Sequence, residues 1–572
     1  MNTKYLWGLF LILFSPNLVK AQWSNNPAIN NPICTDIHLQ QRPQIVSDSK
    51  DGAMICWMDQ RDAPGALYGD IYVQRIKKDG TLLWTNNGVA LTSLQEAEHP
   101  KMVPDGNGGV IIVWIDHRNG TANNEEADVF AQRIDSLGNP LWASGGIAIA
   151  RESNFTCARI DLLTDGSGGV FITWDANQGT MNSNKIFAQH LSNNGQLLWG
   201  NTNHGVQVST SNYSYDAYQP KIASDGNGGI VVCWYDNRTS GKDKIYAQRL
   251  DANGHKKWTT NDLNVYSNYY SDAHNAVILS SSEGKVIIVW DDTRTGTSLF
   301  SWNIYGQELD SMGNLLWQSE GFPLTHAAYN GRFKWPQITS DNQGGAFVSF
   351  FMNTSTPQLL MQHLNSNGST TWTDSLTLDN NAGYVGSSLF EENNNINFLT
   401  HDGQGNAVTS WGGNSGLQIQ KVTIAGELLW NQPGDSTILP SISALHPQNT
   451  HLIAQENGVV IIVWQDSRAD EGNIYADKLP REIVPTAIQY IESPTSFNLY
   501  PNPTPHVLNI KLDEANPGVA SIYDMLGRLV KTFNLEQSTT SVDISDLPEG
   551  FYNIKIQISQ HIWNKMWIKG AR

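Results

Sequence analysis

Residues 101–150 read KMVPDGNGGVIIVWIDHRNGTANNEEADVFAQRIDSLGNPLWASGGIAIA, and most of the chain is a variation on this stretch. It divides into four candidate strands. The first, Lys101-Met-Val103, follows Pro100 and ends in the turn Asp105-Gly-Asn-Gly-Gly109. Glycines there supply the positive φ that a tight hairpin requires. The second, Val110-Ile-Ile-Val-Trp114, is apolar on both sides, as a strand buried on both faces must be. The third, Asp128-Val-Phe-Ala-Gln-Arg-Ile134, alternates. A hairpin at Asp135-Ser-Leu-Gly138 leads to a fourth near Pro140-Leu-Trp142. Whether Gly146–Ala150 continues that strand past a bulge stays open.

The aromatic that closes the second strand recurs at Trp57, Trp114, Trp174, Trp234, Trp290, Phe350, Trp411 and Trp464, spaced by 53–61 residues. A period of this size means one supersecondary unit reused. Four antiparallel strands with an inner strand covered on both faces fit a propeller blade. The last unit stops at Asp477-Lys-Leu-Pro480 without its fourth strand, and the N-terminus holds a matching piece. There Trp23-Ser-Asn-Asn-Pro-Ala-Ile resembles Trp84-Thr-Asn-Asn-Gly-Val-Ala. Trp23 thus joins Trp84, Trp142, Trp199, Trp258, Trp317, Trp372 and Trp430 as an eighth. The expected fold is all-β. An eight-bladed β-propeller over 22–481 is closed by the N-terminal strand, which removes exposed sheet edges. A linker over 482–495 and a small Ig-like β-sandwich over 496–572 follow. An open solenoid or two smaller arrays is the alternative.

The chain has 572 residues and a formal net charge of -18, with no run of Lys or Arg. A nucleic-acid groove needs clustered cations, so that partner is excluded. The four cysteines, Cys34, Cys56, Cys157 and Cys233, show no zinc spacing and read as small buried hydrophobes. A Cys34–Cys56 bridge is the alternative. At the N-terminus, Lys4, the apolar run Tyr5–Phe14 and Val19-Lys20-Ala21 make a signal peptide over 1–21. No later stretch is long and apolar enough to cross a membrane.

After Ile483 the repeat ends. Phe497-Asn-Leu-Tyr-Pro-Asn-Pro-Thr504, Ile522-Tyr-Asp-Met-Leu-Gly-Arg-Leu-Val530, Pro548-Glu-Gly-Phe-Tyr-Asn-Ile554 and Lys565-Met-Trp-Ile-Lys569 follow. Alternating strands between Gly and Pro turns make a small sandwich. This module resembles the type A C-terminal sorting domain of the type IX secretion system of Bacteroidota. The residues that carry the resemblance are Tyr500, Pro501, Asn502, Pro503, Gly527, Arg528, Gly550, Tyr552, Lys565 and Lys569. It implies an export address read by outer-membrane machinery and removed by a sortase-like peptidase. The product is then surface-attached or released. The final Ile568-Lys-Gly-Ala-Arg572 runs slightly past the family's usual basic stop. The repeats resemble uncharacterised repeats of secreted bacterial proteins, a likeness that implies no chemistry.

Trp-x-Asp-x-Arg recurs five times, from Trp57/Asp59/Arg61 to Trp464/Asp466/Arg468. A residue set stamped on unit after unit reads as scaffold, with Asp and Arg paired to fix a loop. The Asp-Gly-x-Gly-Gly turns offer about two side-chain oxygens each, whereas Ca²⁺ wants roughly six to eight. They read as turns, and no metal or other cofactor is implied. Function is expected where the symmetry breaks. Three neighbouring connections are rich in rings: Tyr213, Tyr215 and Tyr218; Tyr266, Tyr269 and Tyr270; and Tyr329, Phe333 and Trp335, with Arg332 and Lys334 beside them. Such rings can stack on sugars or anchor a protein, or pack on their own units. Candidate ligand residues are therefore Tyr213, Tyr215, Tyr218, Tyr269, Tyr270, Arg332, Phe333 and Trp335. Blade-unique carboxylates (Glu96, Glu98, Glu125, Glu126, Asp216, Asp272) form no evident catalytic pair. The expected function is a non-catalytic surface module that binds glycan or protein. A polysaccharide hydrolase or lyase and a structural surface component are the alternatives. A His/Tyr pair or two singular carboxylates at the channel would favour the enzyme.

Overall fold

The computed structural model describes Trp23 to Gly570 except residues 25–29, 121–125, 152–154, 179–182, 201–203, 211–214, 239–240, 260, 267, 269, 283, 295–300, 326–331, 381, 383–396, 414–415, 431–447, 456, 469–470, 481–496, 513–517, 525–527 and 559–560. The signal-peptide and linker segments, Tyr213, Tyr269, Tyr329, Glu125 and Gly527 lie outside the described residues. The chain divides into two compact units, Met1–Glu482 and Ile483–Arg572. All described regular structure is β.

The first unit contains eight sheets among the described residues. In sheet one, Gln40–Ser47, Ala53–Asp59, Asp70–Ile76 and Val89–Ala90 lie side by side in chain order, each antiparallel to the next. Five more sheets repeat this order, opening at Ala97, Phe155, Ala217, Ala273 and Phe333. The seventh comprises Asn397–His401, Ala407–Gly413 and Gly416–Val422. The eighth takes Gln448–Ala454, Val460–Asp466 and Asn473–Leu479 from the end of the array and Asn31–Cys34 from its start. There Asn31 stands opposite Ala476 and Cys34 opposite Ile474.

The first strands of successive sheets pack against each other all the way round, and Gln448–Ala454 returns to Gln40–Ser47. The arrangement is propeller-like. Its core lies between sheets. Second strands such as Val110–Asp116 are buried at every residue, because a neighbouring sheet covers each face. The four cysteines are buried and no disulfide joins them. Burial pushes the Cys34 thiol up to about 12, as befits a packing residue.

The fourth strand lies later than Pro140–Trp142. It is Ile147–Ala150, paired with Val129–Ala131, while Pro140 makes only an isolated bridge to Ile134. The cause is Gln132. Its amide donates to the Ala143 carbonyl (2.8 Å) and accepts the Trp142 N–H (2.9 Å), so the chain detours around one side chain before pairing resumes. Gln74, Gln189, Gln248 and Gln307 do the same in their sheets. The detour closes at Gly146 (φ 88°), where a Cβ would stand 2.6 Å from the Trp114 ring.

The detour carries each unit's second tryptophan to the next sheet. Trp142 Nε1 donates to the Asn193 carbonyl (3.3 Å), Trp199 to Ala252 (2.9 Å), Trp258 to Ser311 (3.1 Å) and Trp372 to Ile424 (2.9 Å). Trp23 makes the same bond across the chain ends, to the Lys78 carbonyl of sheet one (2.8 Å). Arginines add a second tie. Arg75 bonds the Asp48 carboxylate within its sheet and the Ser136 carbonyl of the next (2.8 Å); Arg133 and Arg249 repeat the device. Next to the closing seam, His451 stands 3.0 Å from the Gln44 amide.

In the second unit, Phe497–Tyr500, Val507–Leu512 and Thr539–Asp543 form one sheet. Leu529–Leu535, Gly518–Asp524, Gly550–Ile558 and His561–Lys569 form the other. Leu508, Ile510, Ile522, Ile554 and Trp567 share the core between them.

Two outcomes are expected. Trp23→Ala removes a nearly buried indole and its seam bond, and should cost about 3–5 kcal/mol in denaturant unfolding. A loss below about 1 kcal/mol would show that the seam does not depend on it. Burial first, then Lys101, holds the His451 imidazole down at about 3. The unfolded chain therefore takes up a proton near pH 6.5 that the folded chain refuses until about pH 3. Stability from this group is complete above pH 6.5 and declines as pH falls through that window. His451→Gln should flatten the decline in thermal melts, and an unchanged slope would remove His451 from the acid response.

Candidate functional site

The repeated motif is structural. Trp57 Nε1 donates to Asp59 Oδ2 (2.8 Å), and Arg61 Nε donates to Oδ1 (3.0 Å). The guanidinium lies 3.9 Å from the Tyr72 ring centre. The same bracket recurs at Asp116/Arg118, Asp236/Arg238, Asp292/Arg294 and Asp466/Arg468. The turn aspartates are equally engaged. Asp105 accepts the Asn107 and Gly109 amides on one oxygen and Arg133 on the other. Among the described residues, no group of three or more His, Cys, Asp or Glu is placed to hold a metal ion.

The symmetry breaks on the first strands. Each slips register once near its start, in seven of the eight sheets. The residue at the slip is non-glycine with φ near +50°: Arg42, His99, Arg159, Gln219, Asn275, Trp335 and Asn449. A left-handed conformation costs an L-residue about 1–2 kcal/mol. It persists because neighbours fix it. The Asp175 carboxylate takes the Gln219 N–H (3.0 Å), and Asp291 takes the Trp335 N–H (3.0 Å), each reaching from the preceding sheet. One backbone device thus sets seven different side chains at the same place in their sheets. Four precede a proline (Pro43, Pro100, Pro220, Pro336), a signal legible in the sequence.

Two clusters form at this end. The first centres on Glu98, one of the blade-unique carboxylates. Its Oε1 is 3.0 Å from His117 Nε2; its Oε2 is 3.2 Å from Arg42 and 3.1 Å from His99 Nδ1. Tyr68 stacks on His117 at 3.8 Å and 12°. Burial alone would raise the Glu98 carboxyl, but the two histidines and Arg42 hold it well below the usual range. Sequence reasoning missed Arg42, Tyr68, His99 and His117, since they come from four separate stretches of two repeats.

The second cluster crosses sheets three to six. Arg159 pairs with Asp175 (3.1 Å) and faces the Tyr218 ring at 5.3 Å. Tyr218 meets Tyr235 (5.6 Å), Tyr235 meets His274 (5.2 Å), and His274 stacks on Trp302 (5.2 Å). His274 Nε2 is 2.6 Å from Asp243. The Lys334 amine sits 3.8 Å over Trp302. Burial pushes the Tyr218 phenol up to about 12. It also pushes the buried Asp291 carboxyl up and the Lys334 amine down, while their attraction opposes both.

Of the other ring-rich positions, Tyr215 is half buried and Tyr270 is 86% exposed. Arg332 is exposed beside Trp302. Phe333 packs edge-on against Phe350 (5.8 Å), and Tyr266 is buried. Asp216 accepts the Asn184 amide, and Asp272 binds Lys242 (2.9 Å).

In the second unit the signature residues join its opening turn to its last strand. Asn502 accepts the Ile568 N–H (2.9 Å) and Lys565 donates to the Phe497 carbonyl (3.1 Å). Lys569 donates to the Ser545 (3.0 Å) and Leu547 carbonyls. The Tyr552 hydroxyl donates to Pro548 (2.9 Å), and its ring stacks on Trp567. Tyr500 is exposed, Arg528 pairs with Asp524 (2.7 Å), and the cis peptides Tyr500–Pro501 and Asn502–Pro503 shape the turn.

Fold and site together define an all-β, propeller-like protein with a separate C-terminal module. Residues 498–569 match the family model described as the secretion system C-terminal sorting domain. The protein is therefore exported by type IX secretion to the cell surface or beyond, and it engages that machinery. No curated protein matches the chain. Solved structures similar to it include an ulvan lyase (9% identity, 80% of this chain, 95% of that one, TM-score 0.41). Others are an endo-arabinase from Bacteroides thetaiotaomicron (14%, 58%, 95%, 0.28) and a protein of unknown function from Dyadobacter fermentans (10%, 57%, 94%, 0.33). No helix among the described residues is long and apolar enough to cross a membrane.

Removing Lys334 should leave the buried Asp291 carboxylate without its main opposing charge, held by the Asn275 amide and the Trp335 N–H. Lys334→Met is expected to cost about 3 kcal/mol of stability. Adding Asp291→Asn should restore most of it, and a double-mutant cycle without coupling would refute the pairing.

Proposed function

We propose that the first unit is an eight-bladed propeller, completed by Asn31–Cys34, that binds acidic glycan at the face carrying the first-strand bulges. The signal peptide over 1–21 opens the export route. The sorting domain over 496–572, an Ig-like sandwich behind a linker over 482–495, completes it and is then removed by a sortase-like peptidase. The observation that carries the binding reading is the aromatic and cationic belt Arg159–Tyr218–Tyr235–His274–Trp302–Lys334. In a chain of net charge -18, it sets Arg159, His274 and Lys334 against ring faces, with Asp175, Asp243 and Asp291 beside them and with Tyr235 and Lys334 buried beneath the surface. Rings with apolar faces and polar edges suit sugar, and fixed cations suit carboxylate or sulfate groups. Trp335 and Arg332 adjoin Lys334 and Trp302 of the belt, and Tyr215 and Tyr270, with Tyr213 and Tyr269, belong by sequence to the connections that precede its strands.

Protein binding at the same rings is the second reading, favoured by the large exposure of Tyr270. Purified protein without residues 1–21 should be retained by acidic polysaccharides in affinity electrophoresis. Trp335→Ala and Tyr218→Ala should each weaken retention about tenfold. Retention by neutral glucans alone, or by none of the polysaccharides, would sink the proposal.

A further inference from the structure

We propose that one end of the outer sheet face of the C-terminal module, built from Tyr523, Leu529, Val530, Phe551 and Ile568, is the surface by which the secretion machinery grips the chain. The inference rests on the export route above and names the contact that this route requires.

Exposed apolar surface is concentrated in this module. Of the exposed large apolar side chains among the described residues, six lie here and ten in a first unit several times its length. Single exposed apolar residues are ordinary, whereas a contiguous group marks a contact surface. Strand geometry decides which residues belong together, because side chains alternate across a strand. Ile522, Tyr552, Ile554 and Trp567 enter the core, so Tyr523, Phe551, Asn553 and Ile568 turn to the opposite face. Leu529 stands opposite Tyr523, and Phe551 opposite Ile568. Asn553 pairs with Tyr523, which sets Phe551 one diagonal step away. Val530 is the extra residue where the register slips between Ile522 and Tyr523. Leu529 is 58% exposed and Phe551 56%, while Tyr523 and Ile568 are half-buried. Farther along the same face stand Ser521, Thr532, Asn534, Lys555 and Gln557, with Val519 among them. The apolar patch is thus confined to one end.

The signature stretches of the module converge on that end. Tyr523 and Val530 come from one stretch, Phe551 from a second and Ile568 from a third, and adjacent strands bring them together. Members of these stretches divide by role. Tyr552 stacks on Trp567 and donates to Pro548, and Lys569 donates to the Ser545 and Leu547 carbonyls, so these two hold the fold. Arg528 pairs with Asp524 and shapes the rim. Leu529, Val530 and Phe551 stand outside the core cluster. Apolar side chains left in water contribute little to folding, but an aromatic ring among aliphatic neighbours is a typical binding anchor. Residues 498–569 match a sorting domain, so the partner that covers the patch is the outer-membrane machinery, presenting an apolar groove to the Phe551 ring. Recognition is by apolar contact, since the charged group at the rim is already paired.

The test uses the full chain expressed in a bacterium with a working type IX system. Delivery is read as the fraction outside the cell, by protease accessibility on intact cells and by immunoblot of the medium. Leu529→Glu and Phe551→Glu should each lower that fraction about tenfold and leave the precursor in the periplasm. Val519→Glu, at the other end of the same face, should be delivered at the wild-type level. Each change replaces an exposed side chain, so thermal melts of the purified variants should match the wild type. A photoactivatable p-benzoylphenylalanine in place of Phe551 should form an adduct with an outer-membrane component of the machinery, identified by mass spectrometry. This second readout does not depend on how the Glu variants fold. Wild-type delivery of both Leu529→Glu and Phe551→Glu, an equal loss in Val519→Glu, or an adduct only with a second copy of this chain would overturn the inference. The chain lacking residues 496–572 should stay in the periplasm; its delivery would overturn the export route and the inference together.

Discussion

N–H groups that cross from one sheet to the next fasten the first unit together. An indole donates to a backbone carbonyl on the following hairpin, and an arginine does the same after first satisfying a buried aspartate. Each bond is worth about 1 kcal/mol net. Their larger effect is on register, since they fix how far one sheet is turned against the next. That matters because a sheet whose second strand is apolar on both faces cannot stand alone. It must be covered twice, and only a closed cycle covers every member. Trp23 and Asn31–Cys34 meet this constraint by bringing the start of the array to its end.

The bulges use the same rigidity for a different purpose. A left-handed backbone at a residue other than glycine survives only where its surroundings over-determine it. Here a carboxylate of the preceding sheet grips the bulge N–H in two places, and side chains of the bulge residues bond back into their own sheets. The scaffold repeats while the side chain it displays changes from Arg to His to Asn to Trp. Repetition thus supplies position, and variation supplies chemistry. The Glu98 cluster arises where three such variable residues, or their neighbours, fall on adjacent sheets.

The second unit shows a related economy. Residues that mark it as a sorting module also tie its opening turn to its last strand, through Asn502, Lys565 and Lys569. Lysine amines there bond to backbone carbonyls, which keeps both ends of a small sandwich in register. Tyr500 and Phe551 are left exposed on its surface.

Much of the scaffold was legible along the chain. The period of the Trp positions, the apolar second strands and the glycine turns are local signals, because strand burial and turn geometry depend on residues a few positions apart. The C-terminal motifs were legible for the same reason. The fourth strand was misplaced by a few residues, since the displacing agent, Gln132, lies ten positions upstream of the tryptophan whose N–H it accepts. The site was legible only in part. Tyr218, Trp335 and Glu98 stood out as departures from the repeat, but their partners did not. Arg42, Tyr68, His99 and His117 come from two repeats, and Asp291 and Trp335 from two others. By itself, the sequence determined that the chain would be an exported array of repeated β units, since each unit's pattern is self-contained. Only the tertiary structure decided which variable residues meet, because that depends on sheets more than fifty residues apart being packed side by side.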